Sequence, residues 1–176
     1  MRKATRSWLF AIVAFAASMS AVTAPAQTPA TAGDAAGALL VKGEVKQELH
    51  LTLADLQAMP RMKVSAKGHD GATHEYEGVA LSSLLAKAGV PQASDLRGKS
   101  MSLCVVAEGS DGYRAAFSLA ELDVDFAAES VLVADSTDGK ALGPDQGRLR
   151  LVVPADKRQG RWVRQLKSLS VINAGQ

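Results

Sequence analysis

The stretch that decides the fold is 148-RLRLVVPADKRQGRWVRQLKSLSVI-172. Its first residues alternate, with Leu149, Leu151 and Val153 on one face of a pleated segment and Arg148, Arg150 and Val152 on the other. Pro154 removes a backbone donor and ends that strand. Ser168 to Ile172 supplies a second short strand, with Leu169 and Val171 alternating. The segment carries Arg148, Arg150, Lys157, Arg158, Arg161, Arg164 and Lys167 against a single acid, Asp156. A cationic loop held between two sheet-forming segments reads as an anion-binding rim; the alternative is a solvated charged surface around a core. Trp162 has the same two readings. Its ring either stacks on a ligand while guanidiniums fork onto a carboxylate or phosphate, or it is core with Arg161 and Arg164 pointing outward.

Upstream of this stretch the chain alternates short strands with shorter helices. Leu39 to Val45 reads as a strand interrupted at Gly43. Thr52 and Asp55 form an acidic helix start, Leu53, Leu56 and Met59 a helical stripe, and Pro60 its end. Residues 61–68 and 73–78 pair across the turn at His69-Asp70-Gly71 and lead into a helix bearing Leu81, Leu84 and Leu85, with Gly89 as its cap. Residues 100–109 are the central-strand candidate, with Cys104 buried in the apolar run LCVV. They turn at Ser110-Asp111-Gly112 into a strand placing Tyr113, Ala115 and Phe117 on one face, then meet the capping box of Ser118 and Glu121. Residues 130–142 form a further hairpin around Asp138-Gly139. With no repeat and no alternating long helices, the chain reads as one α+β domain, mixed and sheet-dominated, over residues 39–176.

The N-terminus carries targeting information. Arg2, Lys3 and Arg6 precede an apolar run from Trp8 to Ala17, too short to span a bilayer, and Ala24-Pro25-Ala26 fits signal cleavage. We therefore expect a signal peptide over 1–26, a small-residue linker over 27–38, and a periplasmic or secreted protein exported by the general secretory route. Removing those three cations, with no acid among them, takes the formal net charge from +2 to −1, which speaks against a nucleic-acid partner. No stable membrane span is expected after cleavage. One cysteine, Cys104, precludes an internal disulfide, so packing must stabilise the domain. His69 and His74 lack a third ligand nearby in sequence, and no metal site is read from them.

The runs GVALSSLL (78–85), DGYRAAFSLAEL (111–122), VLVADSTDGKAL (131–142) and GRLRLVVPADKRQGRWVRQLKSLSV (147–171) resemble the molybdopterin-binding domain of the sulfite oxidase family, in its compact stand-alone bacterial form. The resemblance implies that fold over residues 39 to 173. It also implies a pterin with an anionic phosphate tail, near which Arg158, Arg161 and Arg164 match the family's basic groups. The family ligates molybdenum through one cysteine, at a position where this chain carries Ala66 or Lys67. Neither a methyl group nor an ammonium supplies a soft thiolate. Molybdenum cofactors are also inserted before export, whereas a general secretory signal implies unfolded export. The expectation is a non-catalytic periplasmic binding or accessory domain with no cofactor. It would take a small anionic ligand, or a periplasmic or membrane redox or sensory protein as partner. The alternative, a molybdopterin-dependent oxidoreductase, requires a deep cleft between residues 111–117 and 148–164.

Overall fold

The computed structural model describes residues 39–175, so the signal and linker readings over 1–38 lie outside the described residues. Two five-stranded sheets carry the domain. The first is built from β1 (Leu39–Gly43), β2 (Leu49–Leu51), β5 (Leu103–Gly109), β6 (Arg114–Ser118) and β10 (Leu166–Asn173), in the order β2-β1-β10-β5-β6. Among the described residues of this sheet β1 and β10 pair in parallel, and the other pairs are antiparallel. The second sheet joins β3 (Met62–Lys67), β4 (Thr73–Ala80), β7 (Leu132–Thr137) and β8 (Lys140–Ala141) in that order, with β9 (Arg150–Val152) also paired to β7. The fold is the mixed, sheet-dominated α+β arrangement read from the sequence.

Among the described residues three short α-helices, α1 (Leu53–Gln57), α2 (Leu81–Lys87) and α3 (Leu119–Leu122), turn the chain between strands. The start of α1 is set by reciprocal bonds between Thr52 and Asp55, and that of α3 by Ser118 and Glu121. Gly89 closes α2 at φ +76°, a conformation that favours glycine. The inward faces of both sheets meet in one core containing Val41, Phe117, Leu132, Leu151, Leu169 and the three leucines of α2. Among the described residues no helix is long and apolar enough to cross a membrane.

Three local readings change. Cys104 is half-buried, not buried, because LCVV alternates across β5 and Val105 takes the core side while Cys104 and Val106 face the other. Tyr113 precedes β6 and is 49% exposed, while Ala115 and Phe117 do face the core. Alternation puts Arg150 on the face opposite Leu149 and Leu151, yet β9 is buried on both faces and the residue is only 5% exposed.

Candidate anion-binding cleft

The basic loop between β9 and β10 is held in place from both sides by backbone and side-chain bonds. Leu151 N–H donates to the Val163 carbonyl at 2.8 Å, and Leu166 N–H donates to Leu149 at 2.9 Å, so the segment after the loop lies along β9. On one flank Tyr113 Oη donates to the Gly160 carbonyl at 2.5 Å; on the other, Gln159 Nε2 donates to the Lys67 carbonyl at 2.5 Å. The second bond ties the loop to the end of β3. Between these elements opens a cleft of about 860 Å³, whose lining includes Ala66, Lys67, His69, Arg150, Lys157, Arg158, Trp162 and Arg164. That volume falls in the range of small-molecule sites. The cleft lies against β3 and its turn. On the Asp111–Tyr113 side, where the sequence reading sought it, there is a smaller hollow of about 240 Å³.

Arg150 forms the cleft's inner wall. Its guanidinium carbon lies 5.4 Å from the centre of the Tyr76 ring and 5.1 Å from that of Trp162, and the two rings meet edge to face at 87°. The cation is thus lodged against two π-faces. Trp162 is itself core, anchored by its indole N–H to the Val153 carbonyl at 3.0 Å. Arg150 Nη1 donates to Gln146 Oε1 at 2.6 Å, whereas Nε is buried and has no partner. Burial pushes the Arg150 pKa down, the Tyr76 phenol opposes that shift, and the charge of Arg164 deepens it. No carboxylate lies within ion-pair distance of Arg150 among the described residues.

The three arginines singled out in the sequence separate into two roles. Arg158 and Arg164 line the cleft, and neither has a carboxylate partner among the described residues. Arg161 points elsewhere. Its Nε and Nη2 fork onto Asp156 at 3.0 and 2.7 Å, Nη1 reaches Glu121 at 2.7 Å, and the group lies 4.7 Å from the Phe117 ring centre. Those two carboxylates, Asp156 first, raise its pKa above the ordinary arginine value. Glu121 also caps α3 through Ser118 N–H, so Arg161 fastens the loop to that helix.

The residue that sequence reasoning missed is Arg150. One signal was available: Val152 shares its strand face, and an apolar residue there means that face is covered too. His74, from which the sequence yields no metal site, lies between Asp70 and Asp138. Among the described residues no group of three His, Cys, Asp or Glu side chains is arranged to hold a metal ion.

Residues 67–176 match the family described as the oxidoreductase molybdopterin binding domain. The chain belongs to this family. Among solved structures it is similar to the sulfane dehydrogenase SoxCD from Paracoccus pantotrophus, at 27% identity and a TM-score of 0.60. That match covers 76% of this chain but only 37% of the SoxCD chain, so this chain spans little more than a third of its relative's length. No curated protein matched the sequence.

The family implies a pterin and molybdenum, and the cleft fits them unequally. Arg150, Arg158, Arg164, Lys157 and Lys67 suit the anionic organic part, and the unpartnered Nε of Arg150 is a donor in want of an acceptor. The metal is not provided for. No cysteine lines the cleft, Ala66 stands in its wall at 7% exposure, and Cys104 sits on β5 of the other sheet.

Proposed function

We propose that this chain is a binding or accessory member of the molybdopterin-binding oxidoreductase superfamily. Its cleft would hold an oxyanion-bearing small molecule, phosphate or carboxylate, without thiolate-anchored redox chemistry. The observation that carries this reading is the Arg150 guanidinium: a buried charge that no carboxylate among the described residues reaches, in the wall of a cleft that Arg164 and Arg158 also enter. Gathering like charges costs free energy. An incoming anion offsets that cost by pairing with the cleft-lining arginines and lowering the potential at Arg150. The signal-like N-terminus adds the expectation that the protein works in the periplasm or outside the cell.

A second reading, a molybdopterin-dependent oxidoreductase, draws support from the family match and from a cleft large enough for a cofactor. The lining chemistry weighs against it, since Ala66 offers the metal no ligand.

Elemental analysis of protein purified from its native source, with the fluorescence of oxidised pterin, separates the two. Calorimetric titration of the same protein with sulfate and with phosphate reads anion binding directly. The expected result is anion binding without stoichiometric molybdenum. About one molybdenum per chain would overturn the non-redox assignment, and failure to bind either anion would overturn the binding assignment.

A further inference from the structure

The turn between β3 and β4 contributes Gly68 and His69 to the cleft, and one side chain fastens it. His74, on β4, lies with Nδ1 2.6 Å from Asp138 Oδ2 and Nε2 3.1 Å from Asp70 Oδ2. Asp70 belongs to the turn itself. Asp138 belongs to the β7–β8 turn, where its second oxygen accepts the Glu75 N–H at 3.0 Å. Ionised carboxylates only accept, so both contacts are satisfied together only when each ring nitrogen carries a hydrogen, in the imidazolium. The turn is folded tightly over the ring. A Cβ on Gly68 would lie 2.6 Å from both the His74 ring and Asp70 Oδ1.

We propose that His74 is a protonation-dependent latch that holds the tip of the Gly68-to-Ala72 turn against the cleft mouth, and that its deprotonation frees the tip and loosens the cleft's hold on anions. The effect on binding rests on the reading of the cleft given above; the latch itself stands on the His74 contacts.

A neutral imidazole keeps one N–H. The shorter contact, to an Asp138 already fixed by the Glu75 backbone, retains it. Nε2 then turns a lone pair towards Asp70, whose remaining tie is to the Ala72 N–H within the same turn. The other groups around His74 do not replace that bond. Tyr76 presents its ring edge to edge-on contact at 6.2 Å, and Lys140 acts on Asp138. His69, Asp145, Arg150 and Arg164 line the adjoining hollow. The Gln159 bond to Lys67 and the backbone bond from Gly68 N–H to the Ala72 carbonyl at 2.7 Å persist at the base of the turn, so the motion is confined to its tip, residues 69–71.

Hydrogen bonds from Asp138 first and Asp70 second raise the His74 pKa above its ordinary 6.5. The latch is therefore fully engaged below about pH 6.5 and is lost as pH rises through the raised value. Asp70 and Asp138 are held below the ordinary carboxylate value, chiefly by His74, so their share fails only at the acid end.

Two measurements on the mature chain test this. Proton–nitrogen NMR without ligand follows the His74 ring and the amides of residues 70–72 between about pH 5.5 and 9, a span in which histidine titrates. Calorimetry follows sulfate, which stays a dianion throughout, in wild type and in His74→Gln, both carrying His69→Gln to remove the neighbouring imidazole. The latch predicts one shared midpoint above 6.5 for ring and turn amides, and a roughly fivefold loss of sulfate affinity across it in the His74 background alone. Turn amides that ignore the His74 titration, or a sulfate profile unchanged by His74→Gln, would overturn it. Absence of sulfate binding at every pH would instead remove the anion-site reading and the binding consequence with it, while the ligand-free NMR midpoint still decides the turn.

Discussion

Arg150 and Trp162 form the contact on which the cleft turns: the guanidinium carbon lies 5.1 Å from the centre of an indole that is itself 95% buried. Cation–π attraction of about 2 kcal/mol in a desolvated setting stabilises the charge only in part. The Gln146 bond adds one acceptor, and Nε remains without any. The cleft wall therefore keeps a positive charge that no carboxylate among the described residues offsets.

Replacing Arg150 with Met removes that buried charge while keeping an unbranched side chain of adaptable shape. Folding stability should stay within about 1 kcal/mol of wild type, because the cost of burying an uncompensated ion disappears with its favourable contacts. Sulfate affinity should fall by at least about tenfold, or ~1.4 kcal/mol. Chemical denaturation and calorimetry on the same preparation give both numbers.

Arg158 and Arg161 should part company when each is changed to Ala. Arg161 holds Asp156 and Glu121 together at a half-exposed position, so its loss should cost about 1 kcal/mol of stability after allowing for solvent screening. Arg158→Ala should leave stability within about 0.5 kcal/mol and weaken anion binding, with a shallower dependence on salt. If Arg161→Ala lowered affinity while leaving the denaturation midpoint unmoved, the division of roles would be wrong.

Trp162→Phe keeps an aromatic beside Arg150 but deletes the N–H donor to Val153. The Val153 carbonyl keeps the Asp156 N–H, so the lost indole bond should cost about 0.5–1.5 kcal/mol. Trp162→Ala should cost about 3–5 kcal/mol through the cavity it leaves, and should release Arg150 from one of its two rings. A thermal denaturation series ranks the three proteins.

Gly78→Ala tests the packing that carries the cleft. A Cβ at this position would lie 2.0 Å from the Val133 carbonyl oxygen, and the β4–β7 pairing already shifts register there. The strands must separate to admit it, so destabilisation should exceed about 3 kcal/mol, well beyond an ordinary surface change. Retained native stability would contradict the close approach.

Much of the architecture was legible because it depends on neighbours in the chain. The capping boxes at Thr52–Asp55 and Ser118–Glu121, the hairpin at Asp138-Gly139 and the α2 leucine stripe each need only a few consecutive residues. The resemblance in 147–171 extended that local reading to a family. The cleft was less legible. Arg158, Arg161 and Arg164 looked equivalent at three-residue spacing, yet Arg161 meets Glu121 from forty positions away and leaves the cleft lining.

By itself, then, the sequence determined the order and kind of the elements, the presence of a cationic loop after a proline-terminated strand, and a single cysteine set in an apolar run. Alternation, capping and composition are local properties, and they survive without any knowledge of what packs against what. Only the tertiary structure decided which cations remain unpaired. That depends on long-range partners: Tyr76 and Trp162 enclosing Arg150, Glu121 withdrawing Arg161, and Asp70 with Asp138 closing on His74. A charge becomes a binding group or a strut according to whether a carboxylate reaches it, and distance in space sets that, not distance along the chain.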